Sequence, residues 1–172
     1  MKKQKDKMIL GIDPGITGAI SAYFDVKTAG RWCDVWDIPV MAKSGGKGQQ
    51  INPYALYELF STGTLAEYHC DYVFLEQVNA MPGQGVTSVF SFGRSLGIIE
   101  GVLASLKFPV VMISPNKWKK AAGLTGKEKD VARTLAIQLY PELQHKLQRK
   151  KDIGRADAIL IRHFGEKIYT EK

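Results

Sequence analysis

Two short apolar runs each end on an acid: Met8-Ile9-Leu10-Gly11-Ile12 leads into Asp13, and Tyr72-Val73-Phe74-Leu75 leads into Glu76. A third acid, Asp157, belongs to the repeat Ile153, Asp157, Leu160, Ile161 and Phe164, whose spacing sets it on the core-facing stripe of a closing helix. Apolar runs bounded by turn residues read as strands buried on both faces of a sheet, so their last residues emerge together at its edge. Carboxylates buried there are costly unless a cation pairs with them. One strand-end acid alone reads as a cap or loop residue. Three converging from distant positions suggest a divalent metal site.

The elements that must bring them together follow from the pattern. Residues 8–13 read as a strand, 14–18 (Pro-Gly-Ile-Thr-Gly) as a tight turn, and 19–24 as the returning strand. Residues 31–38 alternate and predict a third strand. The polar stretch 44–50, rich in Gly, Lys and Gln, predicts a mobile loop. Asn52-Pro53 is an N-cap followed by proline at the first helical position, opening a helix with Leu56, Leu59 and Phe60 on one face and Gly63 at its interruption. That helix acts as a crossover and makes the 71–76 strand parallel to the first, which puts Asp13 and Glu76 on the same edge. A Pro- and Gly-rich loop over 77–86 precedes a long helix at 87–106, a strand at 108–113, a short helix opened by Ser114-Pro115, a helix at 127–140, and a last helix at 153–164 closed near Gly165.

The chain has 172 residues, with no internal repeat or linker, and predicts one domain over residues 1–172 that buries roughly 70% of its unfolded surface, with residues 1–7 disordered. Cys33 and Cys70 have no zinc-like spacing, so reduced thiols in a cytoplasmic setting are expected. No apolar run nears the ~20 residues of a membrane helix, which predicts a soluble protein with no membrane partner. The net charge of +7 is concentrated late: residues 107–172 hold 15 Lys+Arg against 7 Asp+Glu, whereas residues 1–106 hold 9 against 10. Such a field suits a polyanion, because each neutralised phosphate releases condensed counterions.

The order Gly-Ile-Asp-Pro-Gly-Ile-Thr-Gly at 11–18, Glu76 after an apolar strand, Ser-Pro-Asn-Lys-Trp-Lys-Lys at 114–120, Lys-Glu-Lys-Asp at 127–130 and Gly-Arg-Ala-Asp-Ala at 154–158 resembles the RuvC-type Holliday-junction resolvases, in the style of their phage-encoded members. The likeness spans most of the chain. It implies an α/β, RNase H-like fold: a mixed five-stranded sheet with helices on both faces and the first three strands antiparallel. It also implies a homodimer acting on four-way DNA, in the cytoplasm of a bacterial host if the chain is phage-encoded. By resemblance Asp13, Glu76 and Asp157 become metal ligands, suited as hard oxygen donors to two Mg²⁺ or Mn²⁺ ions that activate water and stabilise the leaving oxygen.

Departures from the family pattern leave specific positions open. Bacterial members carry an acid or histidine three residues before the last aspartate, where this chain has Gly154. Asp152 is the nearest substitute as a fourth ligand, and equally an N-cap for the last helix. Lys119 and Lys129 match the family's phosphate-contacting lysines, and Lys117, Lys120 and Lys127 stand beside them. Arg155 is placed either to meet the DNA backbone or to pair with Asp152. The loop after the second acid, which in the family probes the junction centre with an aromatic, offers only Met81 as a wedge between bases. Phe90 and Phe92 lie close by but predict helix-core packing. Gly93, Gly97, Gly101 and Ser105 form a shallow ridge that suits helix-on-sheet packing or a subunit contact.

The resulting expectation is a metal-dependent, structure-selective DNA endonuclease that makes paired nicks in branched DNA. The alternatives are a nuclease of the same fold acting on RNA or simpler branched DNA, and a junction-binding protein without catalysis. A small phosphate binder of the sugar-kinase type is disfavoured, since it needs two large lobes.

Overall fold

Strands β1 (Lys7–Asp13) and β2 (Ala19–Val26) form the opening hairpin, in a register that sets Asp13 opposite Ala19. The computed structural model describes residues 5–80 and 83–170. The turn between the strands needs glycine at one point above others: a Cβ on Gly18 would lie 2.0 Å from the Asp13 carbonyl oxygen. Strand β3 (Gly30–Asp37) adds antiparallel to β2. Strands β4 (Val40–Ala42) and β5 (Gln49–Ile51) pair with each other alone. Helix α1 (Pro53–Ser61) then opens as its sequence dictates, with Asn52 Oδ1 accepting from the Ala55 amide. It crosses over to β6 (His69–Glu76), which lies parallel to β1, and helix α2 (Val86–Ser105) crosses again to β7 (Val110–Ile113), parallel to β6. The sheet order is β3-β2-β1-β6-β7, a mixed five-stranded sheet. Two parallel neighbours ending in Asp13 and Glu76 put both acids at one edge, as the alternation of elements required.

Strand alternation sends side chains to two cores. Leu10, Ile12, Ile20, Phe24 and Leu75 pack against Leu56, Phe60, Ile99 and Leu103 of α1 and α2. Phe74, Val35 and Ile113 pack on the other face against helices α3 (Pro115–Ala121), α4 (Lys129–Leu139) and α5 (Ile153–Thr170). The central helix is α5, with an unbroken buried run from Ala158 to Arg162. It approaches β1 closely: a Cβ on Gly11 would fall 2.5 Å from both the Ala158 carbonyl oxygen and Arg162 Cβ. That crossing fixes how far along the strand the helix sits.

Several expectations need correction. Residues 44–48 form the exposed turn expected of a loop, but 49 and 50 belong to β5, and the hairpin is tied to α2 by a 2.6 Å hydrogen bond from Arg94 to Gln50 Oε1. The charged start is ordered at least from residue 5: Lys5 donates to the Ala66 carbonyl, the Asp6 carboxylate accepts from the Lys27 amide, and Lys7 already belongs to β1. Helix α5 runs through Gly165 to Thr170, because Gly165 is a contact residue and not a stop; its Cβ would lie 2.6 Å from Phe74 Cγ. Helix α2 is long and apolar enough, by length and composition, to cross a membrane, against the expectation that no such segment existed. Only Ser95, Ile99 and Leu103 of α2 are buried. Phe90 (74% exposed) and Phe92 (36%) are therefore surface rings and not core. The Gly93, Gly97 and Gly101 ridge likewise faces open space, with nothing within 4 Å of an added Cβ.

Candidate active site

Asp13 and Glu76 close β1 and β6, and the first turns of α5 bring Asp157 to the same edge. All three carboxylates are half-buried. Their electrostatics record the convergence. Burial, then the charges of Asp157 and Glu76, push the Asp13 carboxyl well above its ordinary range, against the pull of Lys119 and Lys129. Burial raises Asp157 to about 6, with Lys119 and Lys129 opposing and Glu76 reinforcing. Burial also raises Glu76, resisted by a hydrogen bond from Trp118 and by the charge of Lys119. Like charges forced together out of water disfavour their own ionisation, and a cation placed among them removes the penalty.

Among the described residues, no three His, Cys, Asp or Glu side chains are drawn close enough to cage an ion as they stand. The donor set nevertheless suits one kind of metal. Three carboxylates, with no thiolate or imidazole among them, are hard oxygen ligands for Mg²⁺ or Mn²⁺. The charges of Asp157 and Glu76 both act on Asp13, and that of Glu76 acts on Asp157, so the three lie within electrostatic reach of one another.

The fourth position is closed by geometry. A Cβ on Gly154 would lie 2.2 Å from the Thr17 carbonyl oxygen and 3.3 Å from Asp13 Oδ2. Glycine is what lets the start of α5 press against the 14–18 turn, and no side-chain ligand fits there. Asp152 does not replace it. Buried at 4% exposure, it accepts from the Arg149 amide at 2.8 Å and from Arg149 Nη2 at 2.7 Å, closing a capping box on a short 3-10 turn, Lys150–Asp152. Despite burial, those bonds and the Arg149 charge hold its carboxyl below the usual range. Its carboxylate is taken up by Arg149 within that turn, so it is neither the expected N-cap of α5 nor placed as a fourth ligand.

Arg155 is also committed elsewhere. It grips Asp37 through Nε and Nη2, both at 2.6 Å, and donates to the Lys146 carbonyl at 3.1 Å, while Asp152 is 3.9 Å away. The expected pairing with Asp152 is present as the longer ion pair, and the bidentate grip on Asp37, which ties α5 to the end of β3, is the partner the sequence did not announce.

The lysines separate by direction. Lys119 is half-buried, its Nζ 5.3 Å from the Trp118 ring centroid, and its charge reaches all three acids. Lys129 opens α4 and acts on Asp13 and Asp157. Lys119, Lys127 and Lys129 line a cleft of about 180 Å³ that Asp157 and Trp118 share. Lys117 and Lys120 are exposed and stand outside that cleft, because neighbouring residues of a helix point round it in different directions. Met81 lies outside the described residues.

The residue that sequence reasoning missed is Trp118. Fully buried, it donates from Nε1 to Glu76 Oε1 at 2.8 Å. A signal was present: an indole within a run of lysines, five residues after a strand running beside β6, is a donor with no obvious apolar purpose.

No protein-family model matches the chain. It is 33% identical over 153 residues to a chloroplastic Holliday junction resolvase of Chlamydomonas reinhardtii, an alignment covering 77% of this chain and 17% of that protein. Among solved structures it is similar to Thermus thermophilus RuvC, with a TM-score of 0.54 at 17% identity, covering 95% of this chain and 97% of the other. It is similar also to T. thermophilus RuvC in complex with a Holliday junction substrate, with a TM-score of 0.51 at 13% identity and the same coverages. Those likenesses establish the fold as RNase H-like, in keeping with the mixed five-stranded sheet.

Proposed function

The chain is a relative of the RuvC-type Holliday junction resolvases, and from that premise we propose that it is a metal-dependent endonuclease that cuts four-way DNA by paired nicks. The observation that carries the reading is the convergence of Asp13, Glu76 and Asp157 on one sheet edge, each with its carboxyl raised and each sensing Lys119. Asp13, Glu76 and Asp157 would hold Mg²⁺ or Mn²⁺, which supplies Lewis acidity for water attack on a phosphodiester and for departure of the 3′ oxygen.

The protein's own residues supply position and charge. Lys119, placed beside the acids on the indole face, offers a cation to the scissile phosphate. Lys129 sits in the first turn of α4, where a helix dipole disfavours positive charge, so its placement serves an anion better than it serves the helix. Lys127 lies in the same cleft, and Lys117 and Lys120 extend the positive surface to phosphates farther along the strand. Phe90 and Phe92 lie along the first turns of α2, and Phe92 comes 3.3 Å from the Cβ position of Gly15 in the turn after Asp13. The exposed Phe92 ring, beside that turn, offers an unstacked base a platform.

Two symmetric nicks need two copies of the site. The uncovered face of α2, with Gly93, Gly97 and Gly101 open and Val86 and Phe90 exposed, is the surface a second copy would cover. The same face accounts for the helix's apolar composition without a membrane, because Ile99 and Leu103 on its other side belong to the sheet core. Asp13→Asn, Glu76→Gln and Asp157→Asn should each lower junction cleavage at least ~10²-fold with junction binding preserved, since they remove metal charge and not phosphate contacts. Cleavage at the wild-type rate by a folded variant would exclude that acid from the site.

A further inference from the structure

We propose that Trp118 is a positioning residue for metal capture: its indole edge fixes the Glu76 carboxylate and its face carries Lys119, so one buried side chain sets where the second acid and the nearest cation stand. The proposal rests on the metal-nuclease reading above and adds to it a residue that acts through Glu76.

Trp118 has no exposed surface and is the bulkiest of the fully buried side chains. Its placement follows from short-range chain geometry. Glu76 pairs in register with Ile113 of β7, and Ser114 and Pro115 turn the chain directly into α3, whose first turn returns Trp118 over the end of β6. The indole N–H meets Glu76 Oε1 at 2.8 Å. The indole nitrogen is a donor only, so it can neither ligate a metal ion nor take a proton from the carboxylate. What it can do is occupy one oxygen and hold the group's rotation, which leaves Oε2 to face a cation.

The ring could be buried by packing alone, and a phenylalanine would serve that purpose. The acceptor distinguishes the two cases: the N–H is satisfied by a proposed metal ligand and not by a backbone carbonyl. Lys119 Nζ, 5.3 Å from the ring centroid, uses the indole face at the same time. A group that orients a ligand from outside the coordination sphere is worth ~10–100-fold in metal affinity when removed.

The test is Mn²⁺ binding to the full chain, followed by electron paramagnetic resonance without DNA, for the wild type, Trp118→Phe and Glu76→Gln. A fourth protein carries benzothienylalanine at 118, which keeps the indole shape and replaces the N–H with sulfur, so that it covers the case in which the phenylalanine variant packs poorly. The N–H-deficient proteins should bind Mn²⁺ at least ~10-fold more weakly, with unchanged junction affinity in EDTA. In the wild type the Trp118 indole N–H resonance should shift on titration with Mg²⁺. Mn²⁺ affinity of the sulfur isostere within twofold of wild type would overturn the proposal while leaving the nuclease reading intact. A wild-type protein with no Mn²⁺ site sensitive to Glu76→Gln would overturn both.

Discussion

Asp157→Asn should stabilise the fold while destroying cleavage, and the gain should depend on pH in a defined way. Burial, reinforced by Glu76 and opposed by Lys119 and Lys129, raises the Asp157 carboxyl from 3.8 to about 6. A carboxyl whose pKa is higher folded than unfolded keeps its proton longer in the native state. Native stability therefore falls as pH rises between those values, and the full penalty is present above about pH 6. A change of this size corresponds to about 3 kcal/mol. Asparagine carries no charge to bury, although its amide needs a partner and returns about 1 kcal/mol of the gain. The net expectation is about 2 kcal/mol of added stability at pH 8, falling to a loss of about 1 kcal/mol at pH 3.5. Urea unfolding of both proteins in EDTA from pH 3.5 to 8, with the difference plotted against pH, reads this directly. A difference that stays flat across pH 4 to 7, or an asparagine variant less stable than wild type at pH 8, would refute the reasoning.

Gly154→Ala places a methyl 2.2 Å from the Thr17 carbonyl; α5 must retreat from the 14–18 turn, costing about 1–3 kcal/mol by thermal or urea unfolding and misplacing Asp157 enough to lower cleavage at least ~10-fold. Lys119→Ala and Lys129→Ala should each reduce the slope of log affinity against log salt by about one, whereas Arg155→Ala should leave the slope unchanged and lower stability, because its guanidinium is held by Asp37 and the Lys146 carbonyl. Gly97→Glu on the open face of α2 should convert a dimer to a monomer in light scattering and leave a cruciform plasmid nicked instead of linear; a variant that stays dimeric moves the subunit contact elsewhere.

The sheet and its acids were legible because they depend on local signals. Apolar runs ending in Asp13 and Glu76, the Asn52-Pro53 start and the crossover rule fix a parallel pair without knowledge of packing. Long-range pairing was less visible. Asp152 and Arg155 carry the right charges at the right distance from Asp157, yet Arg149 and Asp37 claim them, and nothing in the spacing of 37 and 155 announces that pair. Glycines were ambiguous for a related reason. Gly165 looks like a helix stop and Gly93, Gly97 and Gly101 like packing sites, whereas Gly165 is the packing site against Phe74 and the others face outward. The 44–50 stretch has a loop's composition, but flanking residues 40–42 and 49–51 are sufficient to pair, and Arg94 anchors them. In the sequence Trp118 is one residue of a basic helix, and only the fold shows its donor aimed at the second acid.

The central claim is that Asp13, Glu76 and Asp157 form one metal-dependent site for branched DNA. The most direct measurement incubates the protein with an end-labelled four-way junction, a duplex of matched sequence and a structured RNA, each with Mg²⁺, Mn²⁺ or EDTA. Paired, symmetric cuts are expected in the junction with either metal, with duplex and RNA intact and no product in EDTA. Cutting that persists in EDTA, or RNA and duplex cut as readily as the junction, would contradict it.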